Sequence, residues 1–190
     1  MKANFLVIVG GPPASGKTTI AEKLSEDFSV PLIRKDAIKE LLFDNIGWSD
    51  REWSRKLGAT TYRIMDQITE AELKAGRAVI LEANFKKSFD EEKFQHWQKQ
   101  YLLRYFQIFC NAPRDVLLER FKSRVESGER HPGHVDGTNY DIFEPKHLAE
   151  TFVPLESLAG ELINVDSTQD FDLYYPQIKE DLTRFKSGLV

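Results

Sequence analysis

Two hydrophobic rhythms alternate along this chain. Asn4-Phe5-Leu6-Val7-Ile8-Val9 is a short apolar, β-branched run that reads as a buried strand. From Thr19 to Phe28 the rhythm changes: Ile20, Ala21, Leu24 and Phe28 share one helical stripe, with Glu22, Lys23, Glu26 and Asp27 elsewhere. A second strand is expected at Pro31-Leu32-Ile33-Arg34, then a helix from about Asp36 through Phe43. A long helix should open at Ser49, with Glu52 as its capping-box partner. Its apolar side would carry Trp53, Leu57, Ile64, Ile68 and Ala75, and Gly76 would stop it. Ala78-Val79-Ile80-Leu81 is uniformly apolar and so reads as a central strand. Ser88 and Glu91 suggest a further capped helix through about Gln100. Tyr105 to Cys110 makes a fourth strand, and Pro113 suits the first turn of a helix carrying Leu117, Phe121 and Val125 to Gly128. The polar stretch Glu129 to Asn139 reads as a mobile loop. Leu162-Ile163-Asn164-Val165 is a fifth strand, and a last helix follows Asp170 with Pro176 as a disturbance. Strand and helix alternate as in an α/β protein whose parallel sheet is covered on both faces.

Between the first strand and the first helix lies Gly11-Pro12-Pro13-Ala14-Ser15-Gly16-Lys17-Thr18-Thr19, which fits G-x-x-x-x-G-K-[ST] without mismatch. Its two glycines allow the backbone N–H groups to converge on one concavity, at a helix N-terminus that favours anions. Lys17 would reach the outer phosphates of a nucleotide and Thr18 would offer a hydroxyl to Mg²⁺. A phosphate loop alone does not separate switch, motor and kinase, so the rest of the chain must.

Asp36 follows a strand and should sit at the carboxyl edge of the sheet, where it could take a proton from an acceptor hydroxyl. Spacing alone reads it equally well as a helix N-cap. Lys39, three residues on, could bind an anionic group of the acceptor. Glu82, at the end of the third strand, is a candidate for Mg²⁺ or for orienting the acceptor, against a solvent-facing carboxylate. Asn84 beside it could bond the acceptor or satisfy loop backbone. Arg120 and Arg124 are four apart on one helix and Arg130 follows in the loop. Together they could close over a triphosphate and exclude water, or pair with Glu119, Glu126 and Glu129 on a solvated face. His131-Pro132-Gly133-His134 offers too few ligands for zinc and reads as a lid hinge or phosphate contact. Trp48 and Trp53 read as core aromatics or acceptor-pocket walls.

Composition narrows the field. The chain has 190 residues, 41% of them hydrophobic and 29% charged, which suits one domain, 1–190, with a small lid at about 120–142. A net charge of −4 offers no global attraction to nucleic acid or to a membrane surface. One cysteine, Cys110, permits no internal disulfide, and no apolar run is long enough to span a bilayer, so a cytoplasmic setting is the simpler expectation.

With these residues in view, the chain resembles the P-loop kinases grouped with zeta toxins, chloramphenicol phosphotransferase and polynucleotide 5′-hydroxyl kinase, and more closely the bacterial AAA-domain kinases of that group. The resemblance runs from about Asn4 to Thr168. It rests on Gly11–Thr18, Arg34-Lys35-Asp36-Ala37-Ile38-Lys39, Val79-Ile80-Leu81-Glu82-Ala83-Asn84, Arg120-Phe121-Lys122-Ser123-Arg124, Arg130–His134 and Val165-Asp166-Ser167-Thr168. It implies a P-loop NTPase three-layer sandwich whose parallel sheet runs 2-3-1-4-5. It also implies ATP and Mg²⁺ as cofactors, Asp36 as catalytic base, Arg120 and Arg124 as lid arginines, and an adenine-holding loop at Asp166, Ser167 and Thr168. Two positions depart from the group: Glu82 stands where Asp is usual, and Lys39 where polynucleotide kinases carry an Arg.

The expected activity is phosphoryl transfer from ATP to a hydroxyl of a small or nucleotide-like acceptor. One alternative is a polynucleotide 5′-hydroxyl kinase, disfavoured by the acidic charge and by Lys39. Another is a non-transferring nucleotide switch or ATPase: Asp44-Asn45-Ile46-Gly47 matches D-x-x-G, but no N-K-x-D motif accompanies it.

Overall fold

The computed structural model describes residues 5–128, 130–138 and 140–189. Its strands are β1 (Phe5–Gly10), β2 (Leu32–Arg34), β3 (Val79–Glu82), β4 (Arg104–Asn111) and β5 (Gly160–Asp166). Its helices are α1 (Lys17–Phe28), α2 (Lys35–Ile46), α3 (Arg51–Lys74), α4 (Lys87–Tyr101), α5 (Arg114–Glu126), α6 (Pro145–Thr151) and α7 (Phe171–Ser187), with three short 3₁₀ turns between Pro132 and Phe143. The sheet is parallel throughout and runs β2-β3-β1-β4-β5, the expected order.

Side chains of β1 alternate between two cores. Leu6 and Ile8 pack with Met65 and Leu73 of α3 and Phe94 and Trp97 of α4; Val7 and Val9 pack with Ile20 and Leu24 of α1 and Ile178, Leu182 and Phe185 of α7. Both faces are therefore dry, which is why the strands read as continuous apolar runs. Register then sets the site. Val9 lies beside Glu82, and Glu82 beside Arg34, so β1, β3 and β2 end level with one another. Whatever follows each strand meets at that edge.

The structure amends several local expectations. The N-cap of α3 is Asp50, whose carboxylate accepts from Trp53 N at 2.8 Å, rather than Ser49. The cap of α4 is Lys86; Ser88 lies inside the helix, and Asp90 Oδ2 reaches back to Lys86 N at 2.8 Å. The buried stripe of α3 is Ser54, Leu57, Thr61, Met65, Thr69 and Leu73, rotated from the expected face, and Ile68 is exposed. Polar residues hid it: Thr61 and Thr69 return their hydroxyls to the carbonyls of Leu57 and Met65 at 2.8 and 2.7 Å, so they can be buried without loss. Within the stretch expected as a mobile loop, Pro132–His134 and Asp136–Thr138 form 3₁₀ turns, with Gly133 and His134 buried; Glu129 and Asn139 lie outside the described residues. Helix α6 was not foreseen, and α7 runs through Pro176. No helix among the described residues is long and apolar enough to cross a membrane.

Candidate active site

The loop from Gly11 to Gly16 departs from β1 in a conformation that its sequence makes possible. Gly11 sits at φ 130°, and a Cβ there would lie 2.0 Å from the Cys110 carbonyl oxygen, so no other residue fits. Gly16 caps α1 at φ 80°. Ser15 and Lys17 are buried, while Thr18 and Thr19 face out on the first turn of α1. Lys17 Nζ donates to the Pro12 carbonyl at 2.6 Å and lies 3.5 Å from Ser15 Oγ. Burial lowers the Lys17 pKa, against the charge of nearby Glu82, which favours the ammonium form.

A cavity of about 330 Å³ opens in front of this loop, bounded by Pro13, Ala14, Lys17 and Thr18 on one side and by Asp36, Lys39, Glu82, Asn84, Arg124 and Arg130 on the others. Asp36 is in the first turn of α2, not at its cap, which is Arg34. Its carboxylate receives Lys35 Nζ at 2.8 Å and Arg130 Nη1 at 3.0 Å. Burial opposes its charge, but the Lys35 and Arg130 cations outweigh burial and hold its pKa well below the usual carboxylate range. Asp36 is thus an ionised acceptor near neutrality. Glu82 is the opposite case. Burial raises its pKa, Asp36 raises it further, and Lys17 offsets this in part.

Lys39 is buried with Nζ 2.8 Å from Ser54 Oγ and 5.1 Å from the centre of the Phe43 ring. Burial, with the Lys35 charge, brings its pKa down to about 8.

The lid arginines part company. Arg120 makes a fork onto Ser167, Nη1 to Oγ at 2.9 Å and Nη2 to the carbonyl at 2.8 Å, and does not line the cavity. Both were expected to close over the phosphates; here Arg120 turns to the two acceptors that Ser167 presents beside the phosphate loop. Arg124 does face the cavity, and its Nε is buried without a hydrogen-bond partner among the described residues. Arg130 joins Asp36 to Asp136 and also reaches His134 Nδ1 at 3.1 Å. Because Arg130 can only donate, Nδ1 accepts and Nε2 carries the proton given to Glu40 Oε1 at 2.8 Å. His134 is therefore neutral; burial, then the Arg130 charge, pushes its pKa down to about 2.

The adenine-loop candidates form a separate group beside the phosphate loop. Asp166 Oδ1 accepts from Thr168 N and Oγ1 at 2.9 and 2.7 Å, Ser167 N donates to Asn111 O at 2.8 Å, and a Cβ on Gly16 would lie 3.7 Å from Ser167 Cβ. Trp48 and Trp53 line neither this cavity nor its neighbour; Trp48 is half exposed and Trp53 donates its indole N–H to Gly47 O at 2.9 Å. His131 stacks on Phe43 and faces Asp44 at 3.2 Å, so Asp44 and Gly47 belong to a helix end packed on the lid, not to a phosphate switch. Among the described residues no group of three His, Cys, Asp or Glu could hold a metal. Sequence reasoning missed Arg51, Ser54 and Arg55 of α3, which also line the cavity. The i, i+4 spacing of Arg51 and Arg55 was the available signal.

The family model AAA_33, described as AAA domain, matches residues 6–140. The chain belongs to the AAA_33 family. As a member it shares the P-loop kinase fold. It superposes on the crystal structure of a candidate kinase from Chloroflexus aurantiacus J-10-fl with a TM-score of 0.80 and 34% identity, over 95% of this chain and 98% of that one. More distant likenesses bear on fold alone. One is to a sugar kinase from Janibacter sp. HTCC2649 (TM-score 0.50, 18% identity, 97% and 94% covered). Another is to a gluconokinase from Sinorhizobium meliloti 1021 (TM-score 0.52, 16%, 99% and 95%). No curated protein matches the chain.

The AAA_33 site fits a magnesium nucleotide. The phosphate loop offers a backbone nest, Thr18 a free hydroxyl at its edge, and Arg124 an orphaned buried N–H on the opposite wall. A carboxylate–hydroxyl pair with few protein ligands suits Mg²⁺, which keeps waters and shares substrate phosphates.

Proposed function

We propose that this protein is an ATP-dependent kinase that moves the γ-phosphoryl group to a hydroxyl of a small acceptor. The observation that carries the reading is the placement of one ionised carboxylate, Asp36, in the same cavity as Lys17, Thr18 and Arg124. A switch needs no such group. The resemblance to the zeta-toxin and chloramphenicol-phosphotransferase group supports it, as does the relative named as a kinase.

In this reading the acceptor O–H donates to Asp36. As the acceptor oxygen bonds to the γ-phosphorus, the bond from that phosphorus to the β,γ-bridging oxygen breaks and ADP leaves with the electron pair. The hydroxyl proton passes to Asp36 and then to water. Because the Asp36 carboxylate is a weak base, proton transfer follows P–O bond formation, as a loose transition state allows. Lys17, turning from Pro12, and Arg124 would meet charge growing on the phosphoryl oxygens. Mg²⁺, held near Thr18 and Glu82, would neutralise charge on the β- and γ-phosphates. Arg120, Ser167 and Thr168 would hold the base end of the nucleotide, and Arg130 would keep Asp36 ionised and the lid in place.

The test is acceptor-dependent ADP release from Mg-ATP across a panel of sugars, polyols and nucleosides, with a 5′-hydroxyl oligonucleotide included. Release stimulated by small hydroxyl compounds is expected. Labelling of the oligonucleotide alone would point to a polynucleotide 5′-hydroxyl kinase. Nucleotide binding with a preference for GTP and no transfer to any acceptor would make the protein a switch.

A further inference from the structure

Beyond Asp36 the nucleotide cavity continues into a second chamber of about 690 Å³, a volume in the range of small-molecule sites. The two share Lys35, Lys39, Ser54, Arg55, Asn84 and Lys86, so one ligand could reach from the second chamber to the phosphate loop. The shared wall is rich in positive charge, in a chain whose net charge is −4. Lys35 is paired with Asp36. Among the described residues no hydrogen bond or ion pair gives Lys39, Arg55 or Lys86 a carboxylate: Lys39 Nζ has only the Ser54 hydroxyl, and Lys86 Nζ lies 5.8 Å from the centre of the Phe152 ring. The two acids of the chamber, Asp66 and Asp90, both turn to Lys93, at 2.9 and 3.2 Å. The cations strain one another. After burial, Lys35 is the next influence on Lys39 and depresses it; on Lys86 burial is followed by the Asp90 charge, which favours the ammonium form, and then by Lys35 and Arg55, which depress it. Tyr62 and Phe152 add apolar surface to the same chamber.

Resting on the kinase reading above, we infer that the acceptor is an anionic small molecule, with its phosphate or carboxylate group seated among Lys39, Arg55 and Lys86 and its reacting hydroxyl at Asp36. A neutral polyol leaves three clustered cations with no carboxylate in hydrogen-bond contact among the described residues; an anion supplies one and fixes which hydroxyl faces the γ-phosphate. The chamber thus selects the substrate by charge at one end while the carboxylate works at the other.

Calorimetry on the full chain saturated with Mg–AMP-PNP, so that the phosphate loop is already filled, tests the seat directly. Inorganic phosphate and acetate are titrated in separate arms, which also tells a phosphate seat from a carboxylate seat. Binding of at least one anion is expected. The double variant Arg55→Gln, Lys86→Gln, saturated with AMP-PNP in the same way, should bind it at least tenfold more weakly. Binding of neither anion, or equal binding by the variant, overturns the inference. Turnover separates it from the kinase reading. Glucose 6-phosphate against glucose, and gluconate against glucitol, are matched pairs. Transfer to neutral compounds with no anion bound would leave a kinase without this seat, and anion binding with no transfer to any hydroxyl would leave the seat without a kinase.

Discussion

The nucleotide half and the acceptor half of the cavity are built by different means. The nucleotide half is backbone: residues consecutive from Gly11 to Thr18, fixed by a glycine whose Cβ would collide with Cys110 and by the start of α1. The acceptor half is side chains from α2, α3, the β3–α4 connection and the lid, joined across long stretches of chain; Asp36 and Arg130 are 94 residues apart and 3.0 Å in contact. A nest of amides binds any nucleoside triphosphate. Side chains converging from four segments can be retuned one by one, so the proposed function assigns acceptor identity to them.

The contrast can be broken first at the nest. Gly11→Ala would place a methyl group against the Cys110 carbonyl, so calorimetry should find nucleotide affinity reduced by a factor of about 100 or more. Retention of wild-type affinity would mean that the backbone cradle is not what holds the nucleotide.

A smaller effect sharpens the boundary between binding and chemistry. Arg124→Gln removes the guanidinium that faces the cavity and should lower kcat by about 10²-fold with a modest change in the KM for ATP. Arg120→Gln breaks the fork onto Ser167 and should do the reverse, weakening nucleotide binding by about tenfold with kcat little changed. If steady-state kinetics find both variants alike, the separation of the two arginines has no functional meaning.

The smallest effect lies in the lid. His134 faces Arg130, Glu40 and the Phe43 ring, and is neutral in the folded chain, with its pKa brought down to about 2. In the unfolded chain it takes a proton near pH 6.5, so between those values the unfolded state binds more protons and stability falls as pH falls. The slope approaches ~1.4 kcal/mol per pH unit below about 6.5. Denaturant melts at pH 7 and pH 5 should show this loss in the wild type and a smaller one in His134→Gln. Equal losses would remove His134 from the balance.

What could be read from sequence follows the same division. The phosphate loop, β1 and β3 were legible because local pattern dictates them: a motif with fixed spacing, and apolar runs that must be buried on both faces. Asp36 and Glu82 could be singled out because one follows a strand and the other ends one, and strand ends in a parallel sheet meet at one edge. The buried face of α3 was misread because Thr61 and Thr69 satisfy their own hydroxyls, and Ser49 was preferred as a cap over Asp50 although either residue type serves. The spacing of Arg51 and Arg55 could be seen, but not what Arg55 would meet, nor the divergence of Arg120 from Arg124. Both depend on which distant segment lies opposite, Lys39 and Lys86 in one case and Ser167 in the other.

Asp36→Asn addresses the central claim most directly, since it keeps the shape of the side chain and removes its negative charge. Nucleotide affinity should stay within about threefold of wild type, while acceptor-dependent ADP release falls by about 10²- to 10⁴-fold. Undiminished transfer to the preferred acceptor by that variant would contradict the account, leaving the phosphate loop intact and Asp36 without a part in the reaction.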